Sequence, residues 1–266
     1  FLAYGGAYLH LVECSLDALA ARFGTPLYVY SQAAMLAALA PYQRALAGRP
    51  HLVCYAMKAN SNLAVLQAFA QAGCGFDIVS GGELERVLAA GVQADKVVFR
   101  GVGKTGADTR PALAVGVLCF NLESEAQLEV LSEVASSMGK TARISLRVNP
   151  DVDPKTHPYI STGLKGNKFG VAHESALQIY QRAAKLPRLE VAGIDCHIGS
   201  QITEIAPYLD ALDRVLDLVE AVEAWGLRIH HLDLGGGLGI TYTDETPPAA
   251  DEVVRQVLAR IDARGH

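Results

Sequence analysis

The 266-residue sequence predicts an α/β protein built as a TIM-type (β/α)8 barrel. Short apolar runs alternate with Ala- and Leu-rich helical segments along the chain, an order that gives parallel strands joined by helical crossovers. A barrel of this kind usually takes about 250 residues, and no low-complexity linker divides the chain after Pro26. Polar side chains follow most of the strand candidates, which is where a barrel places its active site.

The boundaries of the elements follow from local patterns of apolar, helix-forming and turn residues. The first 25 residues stand apart, with a strand predicted over Tyr4–Glu13 and a short helix over Ser15–Phe23 that ends at Gly24. Apolar runs predict the later strands over Leu27–Ser31, Leu52–Met57, Gly75–Ser80, Lys96–Gly101, Val117–Leu122, Ala142–Asn149, Val191–Gly199 and Ile229–Gly235. Helical segments, several followed directly by glycine, are predicted over Ala33–Leu46, Leu63–Ala72, Glu83–Ala90, Glu125–Met138, Glu174–Lys185, Ala206–Trp225 and Asp251–Arg264.

Composition argues against several classes of function. The formal net charge is -5 and the isoelectric point is near 5.9, so there is no electrostatic reason to expect nucleic acid as a partner. No apolar run reaches the roughly 18 residues of a membrane span, and the pattern of a signal peptide is absent from Phe1 to Gly24. The five cysteines form no C-x-x-C pair, which favours a reducing, cytoplasmic location without disulfides or structural zinc.

Lys58 ends one of the apolar strands. Leu52–Met57 has the composition of a strand that is buried on both faces, as in a parallel sheet covered by helices. An amine at the rim of such a core is desolvated, which lowers its pKa and makes it a nucleophile toward a carbonyl group. The alternative is an ordinary lysine that reaches solvent from a strand end, the usual state of a single lysine.

Two further strands end in groups that suit a phosphate and a planar ring. Asp233–Gly239 is rich in glycine and follows the seventh barrel strand, a position where barrels commonly bind phosphate through backbone N–H groups. His197 and Ser200 follow the preceding strand, where an imidazole can stack on a ring and a hydroxyl can bind a phosphate oxygen. The alternatives are a plain tight turn for the glycines and a hydrogen-bonded core side chain for the histidine.

The segment Gly101–Gly106 resembles two nucleotide-binding motifs without fulfilling either. A Walker A loop requires glycine at position 98, where this chain has Val98. The G-x-G-x-x-G spacing of a dinucleotide site is present, with Glu123 about 20 residues further on. Pro111, however, lies within the helix that such a site requires. We therefore expect neither a P-loop nor a Rossmann site here.

The segment from Arg147 to Gly170 is long and is predicted to have little regular structure. Loops of this length in compact domains are usually functional lids or disordered. The Asp and His residues of the segment lack the spacing of zinc ligands, so no metal is expected. Its polar and aromatic residues include His157, Tyr159, Thr162 and Lys168.

Taken together, these residues resemble the fold-type III pyridoxal-phosphate decarboxylases from about Gly24 to about Thr241. The Thr-His-Pro-Tyr-Ile-Ser-Thr-Gly run and Gln201 are similar to the diaminopimelate branch of that family. Asp108 departs from the family pattern, which usually has glutamate there. The most specific matching segments are Tyr55–Asn60, Asp77–Leu84, Arg147–Gly170, His197–Ile202 and Asp233–Gly239.

The resemblance implies an alanine racemase-like barrel that binds pyridoxal 5′-phosphate. Lys58 would form a Schiff base with the cofactor aldehyde, and His197 would stack on the pyridine ring, so both are implied to be catalytic. The other implied site residues are Asp77, Ser200, Gly236 and Gly237 for the cofactor, and Arg147, His157, Tyr159 and Lys168 for the substrate pocket or its Asp153–Lys168 lid.

The implied reaction is the decarboxylation of meso-2,6-diaminopimelate to L-lysine and carbon dioxide, the last step of lysine biosynthesis. The implied partner is a small amino-acid substrate, and the implied assembly is a homodimer with shared active sites. Two alternatives remain: a decarboxylase of the ornithine, arginine or carboxynorspermidine type, and a non-catalytic protein that binds pyridoxal phosphate.

The family pattern also implies segments that would follow His266. With Lys58 at the end of the first barrel strand, only seven barrel strands are present up to Gly235. The eighth strand, with a Glu-Pro-Gly-Arg motif, and a C-terminal β-domain would lie beyond. Residues 1–25 would pack on that domain, and residues 26–266 would form the incomplete barrel. We therefore expect the isolated 266 residues to be inactive and to have two unpaired sheet edges, which favour aggregation.

Overall fold

The computed structural model describes residues 1–154, residue 162 and residues 169–266. The strands are β1 (Leu2–Gly5), β2 (Tyr8–Leu11), β3 (Cys14–Ser15), β4 (Cys54–Ala56), β5 (Gly75–Ile78), β6 (Val97–Phe99), β7 (Cys119–Leu122), β8 (Ala142–Asn149), β9 (Val171–Ala172), β10 (Leu189–Asp195) and β11 (His231–Asp233). The helices are α1 (Leu16–Phe23), α2 (Gln32–Leu46), α3 (Leu63–Gln71), α4 (Gly81–Ala89), α5 (Gly106–Val115), α6 (Glu125–Met138), α7 (His173–Ala183), α8 (Ala206–Ala224) and α9 (Ala250–Ala263), with single 3-10 turns at Met57–Ala59 and Ala94–Lys96.

A parallel sheet forms the centre of the molecule. Its strands lie in the order β11-β10-β8-β7-β6-β5-β4, and β9 pairs with β8 beside this path. Neighbouring strands of the path are all parallel, because a helix crosses over between most successive strands. This confirms the predicted strand–helix alternation with seven barrel strands. Within the described residues, the end strands β4 and β11 are not hydrogen-bonded to each other, so the sheet is a barrel that stays open.

Both faces of the sheet are buried at its centre, because every residue of β6 and β7 is buried. Phe76, Phe99 and Phe120 are at most 1% exposed, and the rings of Phe99 and Phe120 stack with centroids 5.8 Å apart. Burial of this kind requires the unbroken apolar runs from which the strands were predicted. Among the helices of the described chain, none combines the length and the apolar composition needed to cross a membrane.

The N-terminal residues form a small antiparallel sheet of their own. The prediction of a single strand over Tyr4–Glu13 is wrong, because the chain reverses at Gly6 and forms the hairpin β1–β2. Gly6 has a φ of 68°, a conformation that glycine adopts without steric cost. Helix α1 begins after Ser15, whose hydroxyl accepts a hydrogen bond from the Ala18 N–H, and it ends at Gly24 as predicted.

A further prediction about an element is wrong. Leu27–Ser31 is not a strand, since among the described residues no neighbouring strand pairs with it.

Helix α5 was not among the helices predicted from the sequence. It runs through Pro111 at the loss of a single backbone N–H donor. A capping box between Thr105 and Asp108 starts this helix: the Thr105 hydroxyl accepts from the Asp108 N–H, and the Asp108 carboxylate accepts from the Thr105 N–H.

Candidate active site

The functional side chains predicted from the sequence lie at the carboxyl ends of the parallel strands. Lys58 follows β4, Asp77 lies in β5 and Arg147 lies in β8. His197 follows β10, and Gly235–Gly237 follows β11. Since these strands all run in one direction, their carboxyl ends share one rim, and the structure brings the five features together there.

Lys58 is exposed at this rim. The one-turn helix Met57–Ala59 directs Met57 into the core, where it is fully buried, and leaves Lys58 on the outside. Lys58 lines a cavity of about 900 Å³ together with Tyr28, Tyr30 and Asn60. The prediction of a desolvated amine is therefore wrong, and the property that suits Lys58 to a reaction with a carbonyl group is its access.

Arg100 lies among the carboxylates of the site. Its Nε is 3.3 Å from Asp77 Oδ2, its Nη2 is 2.9 Å from Asp195 Oδ1, and Nη2 also contacts Asp233 Oδ2. The Arg100 side chain is 11% exposed and that of Asp195 is fully buried. Arg100 follows β6, whereas Asp195 and Asp233 end β10 and β11, so the guanidinium reaches these strands across the inside of a curled sheet.

The three carboxyl groups of this cluster differ in their pKa. Burial raises the pKa of Asp195 to about 7 and that of Asp77 to about 6, and the Arg100 charge only partly opposes these shifts. Burial also acts on Asp233, but the Arg100 charge and a hydrogen bond from the Gly235 N–H outweigh it, so the pKa of Asp233 lies below its usual value. Near neutral pH, Asp233 is therefore the firmly ionised partner of Arg100.

His197 contacts the glycine loop Gly235–Gly237. Its Nδ1 accepts a hydrogen bond from the Gly236 N–H at 3.3 Å, so the proton of the neutral ring is on Nε2. Burial, followed by the charge of Arg147, lowers the pKa of His197 to about 4, and the ring is neutral at physiological pH. The loop requires glycine, because a Cβ at Gly237 would lie 1.9 Å from the carbonyl oxygen of Gly199.

Arg147 is held by the neighbouring strand ends. Its Nη1 lies 3.6 Å from Glu123 Oε2, and its guanidinium carbon lies 5.1 Å from the centroid of the Phe169 ring. Nearby, Lys104 Nζ donates a hydrogen bond of 2.8 Å to the carbonyl oxygen of Asn121. Burial lowers the pKa of Lys104 to about 8. Two cations and one carboxylate thus line this part of the rim.

Part of the predicted lid borders His197. Thr162 donates a hydrogen bond from its N–H to the Ile198 carbonyl oxygen at 2.9 Å and another from its hydroxyl to the His197 carbonyl oxygen at 2.7 Å. The predicted substrate residues His157, Tyr159 and Lys168 lie outside the described residues. Ser200, a predicted phosphate ligand, is exposed three positions after His197.

Arg100 and Asp195 were not identified from the sequence. Each is a charged residue at the end of a largely apolar strand, which is the same signal that singled out Lys58. A charged side chain in such a position is rarely buried unless it is paired. Searching every apolar strand for a terminal charge would therefore have found both.

The family described as "Pyridoxal-dependent decarboxylase, pyridoxal binding domain" matches residues 32–265 of the chain. The chain is also similar to the diaminopimelate decarboxylase of Pseudomonas aeruginosa, with 58% identity over 262 residues that make up 98% of this chain and 63% of that protein. This chain therefore spans less than two thirds of the length of that curated relative.

Solved structures of similar proteins share the fold. The diaminopimelate decarboxylase of M. jannaschii in complex with L-lysine superposes with a TM-score of 0.92 at 36% identity, over 98% of this chain and 62% of that one. The enzyme of Helicobacter pylori complexed with L-lysine gives 0.89 at 39% identity, over 92% of this chain and 62% of that one. With a family match over nearly its whole length, the chain belongs to the pyridoxal-dependent decarboxylases and contains their pyridoxal-binding domain.

Proposed function

We propose that this chain is the cofactor-bearing part of a decarboxylase that converts meso-2,6-diaminopimelate to L-lysine and carbon dioxide with pyridoxal 5′-phosphate. The observation that carries the proposal is the convergence of Lys58, His197 and Gly235–Gly237 on one rim of the sheet. The choice of substrate is supported by the 58% identity with the P. aeruginosa diaminopimelate decarboxylase. It is supported further by the two similar structures that contain L-lysine.

The residues at the rim fit the three chemical parts of pyridoxal phosphate. Lys58 offers an exposed primary amine to the aldehyde, and His197 offers a neutral ring to the pyridine. In the loop Gly235–Gly237, the N–H groups of Gly235 and Gly236 donate to Asp233 and His197, so the loop offers the Gly237 N–H to the phosphate, and Ser200 adds a hydroxyl. Space is available there, because no atom outside Gly236 and its two chain neighbours lies within 4 Å of the point where a Cβ at Gly236 would be.

When bound, pyridoxal phosphate would supply the electron sink that loss of carbon dioxide from the α-carbon requires. The protein side chains bind and orient the reacting groups. Lys58 would supply the amine that holds the cofactor, and His197 would offer its ring to the pyridine without adding a positive charge. Asp77, paired with Arg100, would lie near the ring from β5. Arg147, held by Glu123, lines the floor of the pocket.

We further propose that the whole protein acts as a cytoplasmic homodimer and that residues 1–25 pack on a domain outside this chain. The aromatic side chains of Tyr4, Tyr8 and Phe23 are 76%, 57% and 61% exposed in this chain. Exposed apolar groups of this kind support a surface that another domain covers in the whole protein. The cysteines at positions 14, 54, 74, 119 and 196 are free thiols, which suits a reducing compartment.

Two alternatives share this cofactor site. One is a decarboxylase for another basic amino acid, of the ornithine, arginine or carboxynorspermidine type, and the other is a protein that binds pyridoxal phosphate without catalysis. The first differs from our proposal only in the substrate that releases carbon dioxide. The second releases none.

Carbon dioxide release by the whole protein that carries this chain tests the proposal. We expect meso-diaminopimelate to be favoured over L-ornithine and L-arginine by at least about 100-fold in kcat/KM, because a site that binds the distal amino acid group rejects substrates that lack it. Lys58→Ala is the matched control and should release none. Preference for ornithine or arginine would favour the first alternative, and cofactor binding without any release would favour the second.

A further inference from the structure

We propose that Arg100 is a positioning residue for the phosphate of the cofactor, acting through Asp233 on the glycine loop Gly235–Gly237. This inference rests on the proposed function, since it takes pyridoxal phosphate as the ligand of that loop. Arg100 itself does not bind the phosphate in this proposal. It fixes the backbone of the glycine loop, which binds the phosphate.

The first step is the position of Arg100 inside the barrel. Its guanidinium contacts Asp77 from β5, Asp195 from β10 and Asp233 from β11, while its own backbone follows β6. These contacts bridge opposite walls of the curled sheet, so Arg100 restrains the strand end from which the glycine loop departs. A planar guanidinium has donors on several sides and can bind three carboxylates at once, which an ammonium group does less well.

The second step is the link from Asp233 to the loop. While Oδ2 of Asp233 contacts Arg100, its Oδ1 accepts a hydrogen bond of 2.9 Å from the Gly235 N–H. Gly235 has a φ of 68°, and the next N–H, that of Gly236, points to Nδ1 of His197. The Asp233 carboxylate thus fixes the first turn of the loop, and Arg100 fixes the carboxylate.

The third step is charge. Asp77, Asp195 and Asp233 lie at the strand ends around the loop and would repel a phosphate dianion. Arg100 is the cation that all three contact. Without it, the carboxylates would lose their common partner, and those that remain ionised would oppose an anion at Gly235–Gly237. A role in fold stability alone would not distinguish a ligand with a phosphate from one without it.

Affinities for pyridoxal phosphate and for pyridoxal, which lacks the phosphate, therefore test the inference. The cofactor is removed from the whole protein, and both ligands are titrated by absorbance. We expect Arg100→Met to weaken binding of pyridoxal phosphate by about tenfold or more while the affinity for pyridoxal stays within about twofold of wild type. Arg182→Met is the matched control, because Arg182 also contacts two carboxylates, Glu125 and Glu129, but on the outer helices. It should change neither affinity.

Arg100→Lys serves as a second variant in case Arg100→Met does not fold, which circular dichroism will show. It keeps the charge but loses the branched contacts, so we expect a smaller loss, about threefold, again confined to pyridoxal phosphate. An unchanged ratio of the two affinities in a folded Arg100→Met, or in Arg100→Lys if only that variant folds, would overturn the inference. If wild type bound no pyridoxal phosphate, the proposed function would fail first, and the inference with it.

Discussion

Two lysines with different surroundings face the candidate active site. Lys58 is exposed beside a cavity, whereas the Lys104 amine donates to the carbonyl oxygens of Gly101 and Asn121. Burial lowers the pKa of Lys104 to about 8, which taken alone would favour it as the nucleophile. Its amine, however, is held by two backbone acceptors that would lose a partner if it reacted. Access therefore favours Lys58.

We expect pyridoxal phosphate to attach to Lys58 and not to Lys104. Reduction of the loaded protein with borohydride should fix the label on the peptide that contains Lys58, as read by mass spectrometry. Lys58→Ala should lose both the label and the absorbance band near the violet edge of the visible range. Lys104→Met, the matched control, should keep both signals. A label on Lys104 in the wild-type protein would contradict this assignment.

The low pKa of His197 predicts a pH-dependent stability. The folded protein keeps the ring neutral down to about pH 4, while the unfolded chain takes up a proton at the ordinary value of 6.5. The unfolded state therefore binds the proton first as the pH falls, so the contribution of His197 to stability is complete above 6.5 and is lost toward 4. Between pH 7 and pH 5 this loss amounts to about 2 kcal/mol.

Urea unfolding at the two pH values measures that loss. The free energy of unfolding of wild type should fall by about 2 kcal/mol more than that of His197→Gln, which has no titrating ring. Subtracting the pH dependence of His197→Gln from that of wild type removes the contributions of the other titrating groups. Equal pH dependence of the two proteins would show that His197 protonates normally in the folded state.

The positions of the site residues could be predicted from the sequence, but their electrostatics could not. Lys58, His197 and Gly235–Gly237 each follow an apolar run, and such runs are visible locally. The charge cluster depends on Arg100 and on partners from strands far apart in the chain, so it exists only once the sheet has curled. The exposure of Lys58 likewise depends on one turn of 3-10 helix that the apolar pattern does not reveal.

At the scale of elements, Tyr180 anchors α7 to the sheet. Its hydroxyl is fully buried, donates to the Gly193 carbonyl oxygen at 2.8 Å and accepts from the Leu146 N–H at 3.3 Å. The pairing of β10 with β8 shifts register between Val191 and Gly193. The hydroxyl thus satisfies two backbone groups at the point where the strand ladder is irregular.

Tyr180→Phe should lower the free energy of unfolding by about 1–3 kcal/mol, because it leaves a buried carbonyl and a buried N–H without that partner. Urea unfolding followed by circular dichroism measures the change. Tyr242→Phe is the matched control, since Tyr242 is 74% exposed, and it should shift stability by no more than about 0.5 kcal/mol. Equal stability of Tyr180→Phe and wild type would mean that other groups or water satisfy both backbone groups.

Sequence patterns predicted elements well where the deciding interactions are local. Helix α6 and strand β8 have the predicted bounds, since an apolar period or run is interrupted at both ends by turn residues. Leu27–Ser31 failed because a strand also needs a partner, which its own residues do not specify. Helix α5 was missed because the capping box at Thr105 starts a helix that Pro111 does not stop.

At the scale of the whole molecule, the helices make contact across the gap between β4 and β11, where the strands are not hydrogen-bonded to each other. Helix α9, which follows β11, packs against α2, which precedes β4, and Arg49 beyond α2 binds Asp262 of α9. An ion pair of Arg260 with Asp213 also ties α9 to α8. The helical layer thus continues across the gap between β4 and β11.

The open position of the sheet predicts uneven protection of its backbone. β4 and β11 each have one hydrogen-bonded neighbour in the path, while the strands between them have two. In a polypeptide of residues 1–266, the amides of Cys54–Ala56 and His231–Asp233 should therefore exchange with deuterium faster than those of Val97–Phe99. A protein extended to the length of its relatives should slow exchange at both edges, because an eighth strand between them would pair with each. Equal exchange at the edges in the two proteins would mean that no strand fills the gap.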